Sequence, residues 1–144
     1  MSNFYITTPL YYVNDKPHIG HAYTTILADV IARHRRIMGD DVHFLTGTDE
    51  HGQKIQEAAS KRDINPKKHV DEYVLRFQKL WKKLNIEYDD FIRTTEKRHT
   101  YRVKELLISF YEKGEIYSAE YEGLYSVSEE RFVTEKEVEE GGFR

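Results

Sequence analysis

At 144 residues, with 39% hydrophobic, 13% aromatic and 33% charged side chains, the chain has enough apolar material for one compact core and too many aromatics for a disordered polymer. A net charge of -3 provides no global basic field, so contact with nucleic acid would have to come from local patches or from residues outside this sequence. The absence of cysteine excludes disulfides and thiolate metal sites and suits a cytoplasmic address, and no stretch approaches the roughly 20 apolar residues of a membrane span or has the make-up of a signal peptide.

Phe4 to Thr7 is a short β-prone stretch that runs through Thr8 and Pro9 to a polar turn at Asn14-Asp15-Lys16-Pro17. A helical pattern starts at about His18, with Ile19, Tyr23, Ile26, Leu27, Val30, Ile31 and His34 at three- and four-residue spacing, and Gly39 stops it. That stripe predicts a face built for burial. Val42 to Thr46 follows as a second strand, and Gly47 to Gly52 reads as a second polar turn leading into a helix from about Gln53 to Arg62. Strands alternating with helices imply a parallel sheet.

Asn65-Pro66 reads as an N-cap with proline at the first helical position. The stripe behind it, Val70, Tyr73, Val74, Phe77, Leu80, Trp81 and Leu84, predicts an amphipathic helix in which Trp81 is packing rather than a functional residue. Phe91 to Thr94 predicts another strand, and Thr95 a cap for a helix burying Val103, Leu106, Leu107, Phe110 and Tyr111 up to Gly114. Beyond Gly114 the texture changes to short β-prone pieces, Ile116-Tyr117, Leu124 to Val127 and Arg131 to Val133, and then to an acidic end, Glu135 to Glu140, without a core of its own. A domain boundary is expected near Gly114.

Two polar turns carry chemistry. In Pro17-His18-Ile19-Gly20-His21 two histidines stand three apart at the start of a helix that follows a strand, so both rings project to one side. Free N–H groups and the positive dipole end there attract phosphate, and glycine admits a flat ring or phosphate close to the backbone. Histidine can donate hydrogen bonds to phosphate oxygens as charge builds in a transition state. The pattern is neither a P-loop nor G-x-G-x-x-G. Taken alone, H-x-G-H also fits two surface histidines or a pair of metal ligands, and Asp49 also fits a helix N-cap.

The motif gains specificity from its neighbours: Thr7-Thr8-Pro9-Leu10-Tyr11-Tyr12-Val13-Asn14 in front of it and Phe44-Leu45-Thr46-Gly47-Thr48-Asp49-Glu50-His51-Gly52 one strand later. Together they closely resemble the methionyl-tRNA synthetases, class I aminoacyl-tRNA synthetases whose "HIGH" signature falls at the same place. The similarity continues through Phe91 to Thr95 and Tyr121 to Tyr125, covering nearly the whole chain. The resemblance implies a Rossmann-like class I synthetase nucleotide-binding fold of parallel strands with helices over residues 1–114, followed by the β-rich start of a connective insertion over 115–144. It implies that His18, Gly20 and His21, with Asn14 nearby, hold ATP, His18 and His21 acting in catalysis. It implies that Pro9, Leu10 and Tyr12 line the methionine side and that Asp49 receives the substrate ammonium. His51 is left as either a supporting or a turn histidine. The implied activity is ATP-dependent, Mg2+-assisted formation of methionyl-adenylate followed by transfer to tRNA(Met).

The sequence also departs from the family. The lysine-rich KMSKS signature, the later part of the amino acid pocket and the anticodon-binding domain are not within these 144 residues, which are therefore expected to be inactive alone and to meet tRNA only through missing parts. Where many members carry a Cys-x-x-Cys zinc knuckle this chain has Ser126 and Glu129, which cannot replace a thiolate pair, so no structural zinc is expected. Two other readings stay open on sequence grounds. One is a metal-dependent hydrolase with His18, His21, Asp49 and His51 around a divalent ion, although the H-E-x-x-H arrangement is lacking. The other is a non-catalytic binding module whose β-rich tail makes protein contacts.

Overall fold

A computed structural model describes residues 2–127 and 129–141. The chain divides into two compact units, Met1–Arg102 and Val103–Arg144. The first contains a four-stranded sheet of β1 (Asn3–Thr7), β2 (Tyr11–Tyr12), β3 (Asp41–Asp49) and β4 (Asp90–Arg93). β3 is the axis of the sheet. β1 runs parallel to its first half, from Asn3 opposite Asp41 to Thr7 opposite Leu45. β2 runs parallel to its end, with Tyr11 opposite Thr48 and Tyr12 opposite Asp49. β4 pairs with it in parallel, from Leu45 opposite Asp90 to Thr48 opposite Arg93. Leu45 and Thr48 each have two ladder partners, which places β1 and β2 along one side of β3 and β4 along the other. The expected parallel pairing of the first two long strands is present.

β3 is longer than its apolar core predicts. Gly47, Thr48 and Asp49 continue the strand instead of turning, because Thr46 and Thr48 are fully buried and Thr46 shares a 2.8 Å hydrogen bond with Thr8. Gly47 is required by a close approach: a Cβ there would lie 2.0 Å from the Ile92 carbonyl oxygen. Only then does the chain turn, through Gly52 at φ 111, a left-handed backbone that favours glycine.

The crossover from β1 and β2 to β3 is α1 (Ile19–Ile37), and the crossover from β3 to β4 is made by α2 (Gln53–Ser60) and α3 (Pro66–Lys83). α3 begins as its sequence predicts, with the Asn65 side chain accepting from the Lys67 N–H at 2.8 Å and Pro66 in the first turn. Val70, Tyr73, Val74, Phe77 and Trp81 of α3 form a core with Tyr11, Val13 and Ile55, and Trp81 is fully buried. α1 departs from expectation. Its buried residues are Thr25, Ala28, Asp29 and Ala32, while the predicted stripe is exposed, Ile19 at 87% and Tyr23 at 71%. Ala28 and Ala32 let the helix lie close on Phe44, with Ile6 and Val42 beside them. Asp29 is accommodated by the Arg33 guanidinium at 2.7 Å and the Glu87 N–H at 2.8 Å.

α4 (Lys97–Glu112) has no buried residue, so Val103, Leu106, Leu107 and Tyr111 are exposed rather than core. Thr95 does not cap it; its hydroxyl donates to the Glu50 carboxylate. In the second unit, Ile116-Tyr117 forms no strand. β5 (Leu124–Ser126) and β6 (Arg131–Val133) pair antiparallel, and the acidic end is a helix, α5 (Glu135–Gly141). Thr134 and Glu137 start α5 with a reciprocal cap: Glu137 accepts from the Thr134 N–H and hydroxyl at 2.8 and 2.9 Å, and the Glu137 N–H donates back at 3.3 Å. The Thr134 N–H, then Arg131 and the Thr134 hydroxyl, hold the Glu137 carboxyl down at about 2. Thr-x-x-Glu is legible in sequence as a capping box, and it turns the acidic end into a helix. Among the described residues no helix is long and apolar enough to cross a membrane.

Candidate functional site

The carboxyl ends of β1, β2, β3 and β4 lie at one edge of a parallel sheet, where open α/β folds bind ligands. The first motif reaches that edge through the start of α1. His18 is the N-cap residue: its Nδ1 accepts from the Gly20 N–H at 3.1 Å, and His21 Nδ1 accepts from the His18 N–H at 3.1 Å. Each neutral ring that accepts through Nδ1 carries its proton on Nε2. The two rings stack with centroids 3.8 Å apart. Gly20 belongs to this arrangement, since a Cβ there would lie 2.9 Å from His18 Cε1.

His21 is wedged against Tyr11 and Phe77, with ring centroids at 4.9 and 5.2 Å. Burial, and then the neighbouring His18, push its pKa below the ordinary imidazole value. Tyr11 in turn is locked to α1 by a 2.8 Å hydrogen bond to Thr25. A cleft of about 380 Å³ opens here, lined by Leu10, Tyr11, Tyr12, Asn14, Asp15, Lys16, His18 and His21. It gathers five of the eight residues singled out from sequence: Leu10, Tyr12, Asn14, His18 and His21. Pro9 is exposed on the connection from β1, and neither it, Gly20 nor Asp49 lines this cleft.

The second motif enters beside it. Tyr12 pairs with Asp49 across adjacent strands while Tyr11, one residue earlier, touches His21, so β2 links the two motifs at one edge. Asp49 ends β3 half-buried, and its Oδ1 accepts from the His51 N–H at 3.3 Å. It does not cap α2, whose N-cap is Gly52. Glu50 turns the other way. Its carboxylate is buried and accepts from Arg93 Nε at 2.6 Å, Arg93 Nη2 at 3.0 Å and the Thr48 hydroxyl at 2.8 Å. Arg93 also reaches Asp71 at 2.6 Å. His69, fully buried, places Nε2 2.9 Å from the Val13 carbonyl and so tethers the loop that carries Asn14.

Sequence reading missed Glu50, Arg93, Thr94 and His69. Polar residues at the carboxyl end of the strand next to β3 were the available signal for Arg93 and Thr94; His69, inside an apolar helical stripe, gave none. Among the described residues no three His, Cys, Asp or Glu side chains converge as metal ligands, which removes the geometry that a hydrolase built on His18, His21, Asp49 and His51 needs.

A parallel sheet whose edge carries a histidine-capped helix start beside a strand-end carboxylate is an α/β domain of Rossmann type. The family model for tRNA synthetases class I (M) matches residues 4–141, and the chain belongs to that family. It is 55% identical over 139 residues to the methionine--tRNA ligase of Listeria monocytogenes, covering 96% of this chain and 21% of that protein. It is 53% identical over 137 residues to that of Bacillus subtilis, covering 95% of this chain and again 21% of the relative. Among solved structures, the Mycobacterium tuberculosis methionyl-tRNA synthetase in complex with methionyl-adenylate superposes with a TM-score of 0.91 at 44% identity, over 95% of this chain and 27% of that one. The chain thus spans about a fifth of the length of the curated relatives it matches.

Proposed function

We propose that this chain is the amino-terminal part of a methionine–tRNA ligase, with residues 1–114 forming the first half of the catalytic domain and 115–144 the start of a connective insertion. The observation that carries the reading is the convergence at one sheet edge of the stacked pair His18 and His21 with Asp49 on the adjoining strand end. The methionyl-adenylate bound by the Mycobacterium tuberculosis structure supports the choice of substrate.

In this reading the methionine carboxylate attacks the α-phosphorus of ATP, supplied with Mg2+, and pyrophosphate leaves; the methionyl group of the adenylate then passes to a terminal hydroxyl of tRNA(Met), which meets parts of the protein outside these residues, and AMP leaves. Asp49 receives the substrate ammonium and so aims the attacking carboxylate. Pro9, Leu10 and Tyr12 line the methionine side, and Asn14, His18, Gly20 and His21 hold ATP. With Nδ1 of both histidines occupied by the helix cap, the Nε2 protons are the ones offered to phosphate oxygens. Their donation matters most as charge accumulates in the transition state. Ser126 and Glu129 stand where a zinc knuckle would need thiolates, and these two side chains offer no thiolate pair to a zinc ion. The enzyme works in the cytoplasm.

The test uses this chain extended by the carboxy-terminal part of the Bacillus subtilis relative. The extended protein should support methionine-dependent exchange of pyrophosphate into ATP. His21→Ala should lower the exchange rate by about 100-fold or more with methionine affinity nearly unchanged, as expected of a group acting mainly in the transition state. Asp49→Ala should weaken methionine binding by about 2–3 kcal/mol. Preferential activation of another amino acid would overturn the reading.

A further inference from the structure

Two acids follow one another at the end of β3, and they are held differently. Glu50 is buried with its carboxylate saturated by Arg93, Thr48 and Thr95. Asp49 stays half-exposed. A buried carboxylate is costly unless paired and hydrogen-bonded, and this pair ties the end of β3 to the end of β4 immediately beside Asp49. The residue at that junction is Thr94, buried, one position beyond β4, with its N–H donating to the Thr48 carbonyl at 3.1 Å.

With that bond, Thr94 touches four consecutive residues of the second motif, Thr48 to His51. Its Oγ1 accepts from the Glu50 N–H at 2.8 Å and lies 3.4 Å from Asp49 Oδ1. Its carbonyl lies 3.4 Å from His51 Nε2 and 3.1 Å from His99 Nδ1. A hydroxyl has a single proton; with the Glu50 amide occupying a lone pair, that proton is directed to the Asp49 carboxylate. The His51 N–H reaches the same oxygen. Both donors therefore fall on Oδ1, and Oδ2 has none among the described residues.

We propose that Thr94 is a positioning residue for the substrate ammonium site: its hydroxyl holds Asp49 by Oδ1 so that Oδ2 is presented to the amino group, and the buried Glu50–Arg93 pair fixes Thr94 in place. The inference rests on the assignment of Asp49 to the ammonium. Thr94 does not touch substrate, so its effect is on methionine and not on ATP. The same hydroxyl also serves the Glu50 N–H, so both bonds call for a threonine where valine would fit the same buried space.

The experiment compares Thr94→Val, which removes the hydroxyl at constant shape, with Thr94→Ser, which keeps it, in the extended protein. Thr94→Val should raise KM for methionine about tenfold, the scale of one lost hydrogen bond to a charged group, while KM for ATP and kcat stay within about twofold to threefold. Thr94→Ser should restore wild-type behaviour. In an Asp49→Ala background Thr94→Val should add nothing, because its effect passes through that carboxylate. Thr94→Ala, with no added methyl against Glu50, carries the same expectations if the valine variant does not fold. An unchanged methionine KM in the folded hydroxyl-less variant, or an effect additive with Asp49→Ala, would overturn the proposal. If instead Asp49→Ala itself left methionine binding intact, the assignment of Asp49 would fall, a result distinct from either of these.

Discussion

α1 and α3 both flank the parallel sheet and both carry a large apolar stripe at helical spacing, yet α3 buries its stripe and α1 presents its own to the surface. In α3 the stripe is aromatic-rich and meets Tyr11, Val13 and Ile55, giving Trp81 and Phe77 a complete shell. In α1 the large residues lie away from the sheet, because the small pair Ala28 and Ala32 allows the helix axis to approach Phe44 closely. Periodicity reports that a face is apolar. It does not report which neighbour covers it, and a helix with small residues on one side and large ones on another can satisfy the sheet with the small side. Apolar faces of this continuity are uncommon on monomer surfaces.

The largest effect that can test the contrast is in α3. Trp81→Ala should destabilise the 144-residue chain by about 3–5 kcal/mol in urea unfolding, the cost of a large aromatic lost from a full core; a loss below about 1 kcal/mol would mean the α3 stripe is no better packed than that of α1. A smaller effect comes from how the two helices start. Asn65 at the head of α3 does not titrate, whereas His21 at the head of α1 accepts from the His18 N–H and is held below its ordinary pKa by burial and by His18. A lowered value in the folded state means the unfolded chain binds the proton more readily, so stability is intact above about pH 6.5 and falls as the pH drops through the lower folded value. Because the ring is only partly buried, solvent screening keeps the loss modest. Between pH 7.5 and 5.5 the urea midpoint of wild type should drop more than that of His21→Asn; equal drops would separate His21 from the helix start.

The smallest expected effect is on the outer face of α1. Leu27→Ser combined with Val30→Ser should change urea stability by less than about 0.5 kcal/mol, as for surface positions generally, while lowering the binding of an apolar dye. A loss comparable to that of Trp81→Ala would show that this face is covered in solution.

What the sequence determined by itself was local. The alternation of strands and helices, the Asn65-Pro66 start, the Trp81 stripe and the histidines at a helix N-terminus all follow from hydrogen bonds and spacings among residues close in the chain. The Thr134-x-x-Glu137 cap is equally local, although it was not among the expectations from sequence. Tertiary structure decided the rest: that α1 turns its alanines inward, that β3 runs on through Asp49, and that Thr95 serves Glu50 rather than α4. It also decided that Glu50 is buried while its neighbour Asp49 is offered at the edge. Each of these depends on a partner distant in the chain, Phe44 for Ala28, Arg93 for Glu50, Thr94 for Asp49. The carboxylates of Asp49 and Glu50 have nearly the same intrinsic chemistry; alternation along the strand turns one in and one out, and the β4 end decides which charge is neutralised.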